Sequence, residues 1–111
     1  MKAAGVHLVL HTDAGVRLTP FAEFARGLEV AVAAIDLTPR EAIQMVTRLP
    51  AEGLGLADLG TVESGKRADL VAVDGDPAAS VADLARVRHV WRDGRPLVRD
   101  GLFSGPDHDA Y

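Results

Sequence analysis

A chain of 111 residues is long enough for one small domain, and 48% hydrophobic with 25% charged side chains is ordinary globular composition. Twelve basic against sixteen acidic side chains leave a net charge of −4, which argues against a nucleic-acid binder, since such proteins usually carry a basic face. The absence of cysteine excludes a disulfide framework, a zinc–thiolate site and a cysteine nucleophile.

Val6 to His11 reads as a short buried strand entered through Gly5. Its apolar run is too short to cross a membrane, and Met1-Lys2-Ala3-Ala4-Gly5 has no signal-peptide character. A cytoplasmic protein is the expectation. Thr12-Asp13-Ala14-Gly15 forms a small polar loop, and Thr19-Pro20 opens a helix whose apolar positions run from Phe21 through Leu28 to Ile35. Thr38-Pro39-Arg40-Glu41 starts a second helix with a capping-box pattern. Pro50 is expected to break that helix, with a short helical turn following and Gly55 ending it.

After about residue 57 the pattern changes to short β-like runs. They are Thr61-Val62, Leu70 to Val73, Val87 to Trp91 and Pro96 to Val98. Asp93-Gly94 is a hairpin signal, Asp74-Gly75-Asp76-Pro77 marks a turn, and Val81 to Leu84 suggests one helical turn. The expected class is α+β, with a helical part over 1–56 and a β part over 57–111 ending in a frayed tail. For the isolated chain this predicts a helical pair packed on a small antiparallel sheet.

Gly60-Thr61-Val62-Glu63-Ser64-Gly65-Lys66-Arg67-Ala68-Asp69-Leu70-Val71 resembles the C-terminal signature of metal-dependent amidohydrolases, nearest to the imidazolonepropionase-like and prolidase-like branch. Asp74-Gly75-Asp76-Pro77 and Val90 to Arg95 continue the likeness, as do Leu37 to Ala42 and, upstream, Ala3 to Val6 with Thr12 to Gly15. It extends over residues 2–101. The resemblance implies the last βα unit of a (β/α)8 barrel in 1–56 and part of a C-terminal β-sandwich in 57–111. A barrel of this kind needs roughly 250 residues, so the chain is expected to be a fragment. The implied activity of the parent is hydrolysis of amide, cyclic amide or related C–N bonds with a divalent metal, typically zinc, on a small-molecule substrate. Specificity comes from several βα loops, so the sequence does not name that substrate.

Asp13 is the residue on which the implied chemistry falls, as metal ligand and proton shuttle at the C-terminal end of a barrel strand. A bound divalent metal lowers the pKa of water toward about 7, and a neighbouring carboxylate can take its proton and pass it on. The plainer alternative is that Asp13 caps its loop. Strand alternation puts His7, Val9 and His11 on one face, with Asp13 next in the same alternation where the strand ends. His11 stands where the family has a small residue and is a lesser candidate ligand, or a group hydrogen-bonded to one. Leu49 replaces a frequent asparagine. Lys66 and Asp69 suggest an acid–base pair, but their motif belongs to the sandwich, so a turn and strand-entry role is the better reading. Trp91 reads as packing, and neither His89 nor His108 as a ligand. The remaining ligands of the family come from segments outside this chain, and a catalytic zinc needs about three protein ligands. The isolated chain is therefore expected to bind metal poorly and to be inactive. Strand and helix faces left uncovered suggest self-association or a complementary chain. The alternative to an enzyme part is a non-catalytic remnant.

Overall fold

A computed structural model of the chain describes residues 5–6, 8–11 and 23–104. Over these the fold is α+β. Three helices, α1 (Phe24–Ile35), α2 (Pro39–Val46) and α3 (Arg48–Gly53), precede a four-stranded sheet of β1 (Leu70–Val73), β2 (Val87–Arg92), β3 (Arg95–Arg99) and β4 (Leu102–Phe103). A 3-10 helix, Val81–Ala85, lies between β1 and β2.

The end of α1 and the start of α2 each have a local cause. α1 ends because Asp36 turns left-handed (φ 52°), which lets the Leu37 N–H reach back to the Val32 carbonyl at 3.2 Å. That bond places Leu37 in the core beside Val32, the apolar contact that usually accompanies such a stop. The next helix then starts immediately. Thr38 Oγ1 accepts from the Glu41 N–H at 3.3 Å, and the Thr38 N–H donates to Glu41 Oε2 at 2.8 Å. The capping box read from the sequence is therefore formed, with Pro39 in the first turn where its missing N–H is not needed.

The break expected at Pro50 falls earlier. α2 stops at Val46, Thr47 takes a non-helical conformation, and Pro50 sits inside the first turn of α3. A continuous helix would need an amide proton at residue 50 to meet the Val46 carbonyl, and proline has none. Shifting the break to Thr47 removes that demand. Pro50 still accepts the Leu54 N–H at 3.0 Å.

The sheet is an antiparallel meander in the order β1-β2-β3-β4. Asp93 and Gly94 both have positive φ (51° and 74°), as a two-residue hairpin turn with the right twist requires. Asp100 and Gly101 repeat the geometry (49° and 77°) and turn β3 into β4, a strand the sequence reading omitted. Thr61-Val62, expected as a strand, is loop: Val62 is 85% exposed, and a turn closed by the Lys66 N–H on the Glu63 carbonyl follows.

The core is Leu28, Leu37, Ala42, Met45 and Val81, with Leu8, Leu10, Val32, Val46, Leu49 and Leu84 packed around it. Val81 comes from the 3-10 helix. α1 and α2 meet the β region chiefly through that element, so the expected packing of helices directly on the strands is corrected. The connection is short, and it puts Val81 rather than a strand against the helices.

The expected strand at Val6 to His11 makes no ladder among the described residues. Leu8 and Leu10 lean on the core while Val9 is exposed, so the alternation is present. Among the described residues its backbone is tied by one bond, from the Leu10 N–H to the Met45 carbonyl at 3.3 Å. A strand needs a neighbouring strand to become a ladder, and here its neighbour is the end of α2.

Candidate functional site

Asp13, the principal candidate, lies outside the described residues, as do His7 and His108. His11 is described and exposed. Among the described residues, no group of three or more His, Asp or Glu side chains is placed to hold a metal ion. They do not make a metal site by themselves.

The signature motif has a structural role throughout the fold. Asp69 Oδ1 accepts the Asp93 N–H at 2.6 Å, and the Ala68 carbonyl accepts the Gly94 N–H at 3.0 Å. The Ala68-Asp69 pair thus grips both residues of the β2–β3 turn. Lys66 reaches Thr61 Oγ1 and lies 3.9 Å from Glu63. Lys66 and Asp69 serve separate turns, which agrees with the reading of a turn and strand-entry device rather than an acid–base pair.

Arg67 closes the loop in front of this motif. Its N–H donates to the Asp58 carbonyl at 2.9 Å, and its guanidinium donates to Asp58 Oδ2 at 3.1 and 2.7 Å. That hydrogen bond holds the Asp58 carboxyl below the usual carboxylate range. A carboxyl depressed in the folded state stabilises above its unfolded pKa and loses that contribution as pH falls through the folded value. Acid unfolding of the native chain is therefore expected to steepen below pH ~4, the ordinary aspartate range. Asp58→Asn should lower stability above pH ~4 and converge with the native chain in acid, where the native carboxyl is protonated, so the acid limb flattens; unfolding followed by circular dichroism across a pH series checks this.

Asp74-Gly75-Asp76-Pro77 is also a clasp. The Asp76 N–H donates to Asp83 Oδ2 at 2.8 Å, and Asp83 pairs with Arg86 at 2.9 Å. Arg86 Nε in turn donates to the Asp74 carbonyl at 3.1 Å. The partners Asp83 and Arg86 were not singled out in the sequence, because only the folded connection shows that they face the turn. His89 lies beside Trp91 with ring centroids 5.5 Å apart and planes tilted by 36°, and its Nδ1 accepts a long bond from the Asp100 N–H at 3.5 Å.

A surface hollow of about 300 Å³ lies between α3 and the 56–66 loop, with Arg48 and Lys66 at its rim. Both cations are engaged: Arg48 pairs with Glu52 at 3.2 Å, and Lys66 is held as described above.

Comparison with known proteins decides the family. The amidohydrolase family model matches residues 1–97. The chain belongs to the amidohydrolase family. Imidazolonepropionase of Chromobacterium violaceum is 35% identical over 106 residues, which are 95% of this chain and 24% of that protein. Imidazolonepropionase of Cereibacter sphaeroides is 32% identical over 105 residues, 95% and 25% respectively. The chain thus spans about a quarter of the length of the curated relatives it matches. Among solved structures, an enzyme from Bifidobacterium longum assigned as a prolidase superposes with a TM-score of 0.83 at 31% identity, over 94% of this chain and 26% of that one. An adenosine deaminase from Xanthomonas campestris with bound zinc gives 0.73 at 26% identity, over 98% and 29%. The amidohydrolase likeness read from the motifs, nearest to the imidazolonepropionase-like and prolidase-like branch, is thereby established.

Proposed function

We propose that this chain is the C-terminal part of an imidazolonepropionase-like amidohydrolase that hydrolyses an amide, cyclic amide or related C–N bond of a small molecule. Residues 1–56 supply the last βα unit of its barrel, and residues 57–111 supply part of its β-sandwich. The observation that carries this reading is the family match over residues 1–97, held at 35% identity across 95% of the chain in a single relative. The structural use of the signature is consistent with it. Within it Lys66 donates to Thr61 Oγ1, Asp69 accepts the Asp93 N–H and Asp76 accepts the Ala78 N–H, so these side chains serve the fold. Asp13 is assigned the chemistry because by the family resemblance it stands at the end of the last barrel strand.

In this reading Asp13 takes a proton from the attacking water and delivers it to the leaving nitrogen, a task suited to a carboxylate at the end of a barrel strand. The divalent metal, zinc by family analogy, supplies water activation when bound. The other ligands come from a complementary chain or from further sequence of the same protein. Without them the isolated chain is inactive, because about three protein ligands are required.

The surface agrees with a missing neighbour. Val9, Val30, Ile35, Val71, Leu102 and Phe103 are between 42% and 74% exposed, from the first segment, α1 and the sheet. Val71, Val90, Val98 and Phe103 are cross-strand partners, so they form one apolar row across the sheet.

The test is co-expression with a chain carrying the preceding barrel strands of a relative. Asp13→Ala in that pair is expected to cut hydrolysis of cyclic amides by at least ~10²-fold, the lower range for loss of a general acid–base. Unchanged turnover in the Asp13→Ala pair would reject the role.

A further inference from the structure

The chain has three Asp-Gly steps: Asp74-Gly75, Asp93-Gly94 and Asp100-Gly101. Each is a chemical weak point, because glycine offers its amide nitrogen unshielded to the preceding carboxyl. The glycine nitrogen attacks Cγ. An N–Cγ bond forms, the Cγ–OH bond breaks, and the amide proton leaves with that hydroxyl as water. A second water then opens the five-membered imide. Opening at the α-carbonyl yields isoaspartate, with the main chain rerouted through the side chain. Water is the only co-reactant.

The fold treats the three steps differently. Asp93 and Asp100 are left-handed, with φ of 51° and 49°. Near the ψ of about +47° that accompanies this region, the following nitrogen lies anti to Cβ and out of reach of Cγ. Both glycine N–H groups are also occupied. Gly94 donates to the Ala68 carbonyl at 3.0 Å, and Gly101 donates to the Arg88 carbonyl at 2.9 Å. Reaction at either step requires breaking that bond and leaving the left-handed well.

Asp74 has neither protection. It is not among the described residues with positive φ. The Gly75 N–H makes no hydrogen bond among the described residues. The Asp74 side chain is 59% exposed. Three contacts oppose reaction there: the Asp74 N–H donates to the Arg86 carbonyl at 2.9 Å, Arg86 Nε donates to the Asp74 carbonyl at 3.1 Å, and Arg88 Nε lies 3.7 Å from Asp74 Oδ1. Both arginine side chains are about half exposed, so water can replace the side-chain contacts.

We propose that Asp74 is the site of spontaneous isoaspartate formation in the folded chain. The added backbone methylene would displace the Asp74 N–H from the Arg86 carbonyl, now 2.9 Å away, and open the clasp that leads into the 3-10 helix.

The test is to age the full folded chain at physiological temperature and pH, digest it with trypsin and read isoaspartate by electron-transfer fragmentation. Cleavage after arginine puts the three steps on separate peptides. Conversion at Asp74 is expected to run at least about fivefold ahead of Asp93 and Asp100, a factor set by the net worth of one hydrogen bond. In the urea-unfolded chain the three rates should converge, and Asp74→Glu should abolish the leading signal because the larger imide closes slowly. Equal rates in the folded chain, Asp93 or Asp100 ahead of Asp74, or no conversion at Asp74 while the unfolded chain converts would overturn the proposal.

Discussion

Replacing Leu28 by alanine is expected to cost about 2–5 kcal/mol, the range for a fully buried leucine. Leu28 is 0% exposed, and it is the point where α1 meets Leu37 and Met45 from the next segment and Val81 from the 3-10 helix. Truncation leaves a cavity bordered by three separate elements, and the backbone of none can move in without losing its own packing. A domain of this size has only about 5–15 kcal/mol in hand. At about 4–8 °C per kcal/mol, the melting temperature should fall by ~10 °C or more. Thermal unfolding by circular dichroism checks this, with Val30→Ala as the control. Val30 is on the same helix but 62% exposed, and its truncation should change the isolated chain little. Equal effects of the two variants would show that α1 packs through another face.

Gly60→Ala tests how the signature motif is seated. Gly60 has φ of 88°, a conformation that costs an ordinary L-residue ~1–2 kcal/mol. A Cβ there would also stand 2.7 Å from Ala51 Cβ, 3.0 Å from Arg48 Cα and 3.0 Å from the Thr47 carbonyl. Two of these are backbone atoms of α3 and its start, which cannot swing aside. Overpacking of this kind adds about 1–3 kcal/mol. The expected sum of ~2–5 kcal/mol is large for one methyl group. Gly65→Ala is the informative comparison. Gly65 has the same φ of 88°, but open space surrounds its Cβ position, so only the conformational part of the cost should appear. If the two variants melt together, the close approach to α3 is absent.

The sequence was most legible where a local rule needs no distant partner. The capping box of Thr38 and Glu41 and the Asp93-Gly94 turn both formed as read, because each is complete within a few residues. The signature at residues 60–71 was legible for family membership, and Asp69 carries out the strand-entry task assigned to it. Elements that depend on a non-local neighbour were not legible. Val81 is an unremarkable valine in a short turn until the fold places it in the core. The shift of the helix break from Pro50 to Thr47 follows from which carbonyl the missing N–H would have met. β4 is only two residues long, and Asp100-Gly101 marks it with the same turn chemistry that was used at Asp93-Gly94. The Val6 to His11 segment has the alternation of a strand, yet the described part of it is tied to α2 by one bond. Alternation gives the facing of side chains, and the ladder depends on which strands stand beside it.

The central claim, that this chain completes a larger amidohydrolase, is tested most directly by light scattering with metal analysis. The isolated chain is measured first, then an equimolar mixture with a chain carrying the preceding barrel strands of a relative. The chain alone should be larger than a monomer, because the described residues expose Val9, Val30, Val71, Leu102 and Phe103. The mixture should give a one-to-one complex that retains a divalent metal through dialysis, and Asp13→Ala should lower the metal content without dissolving the complex. A stable monomer that ignores the complementary chain and leaves its metal content unchanged would contradict the account.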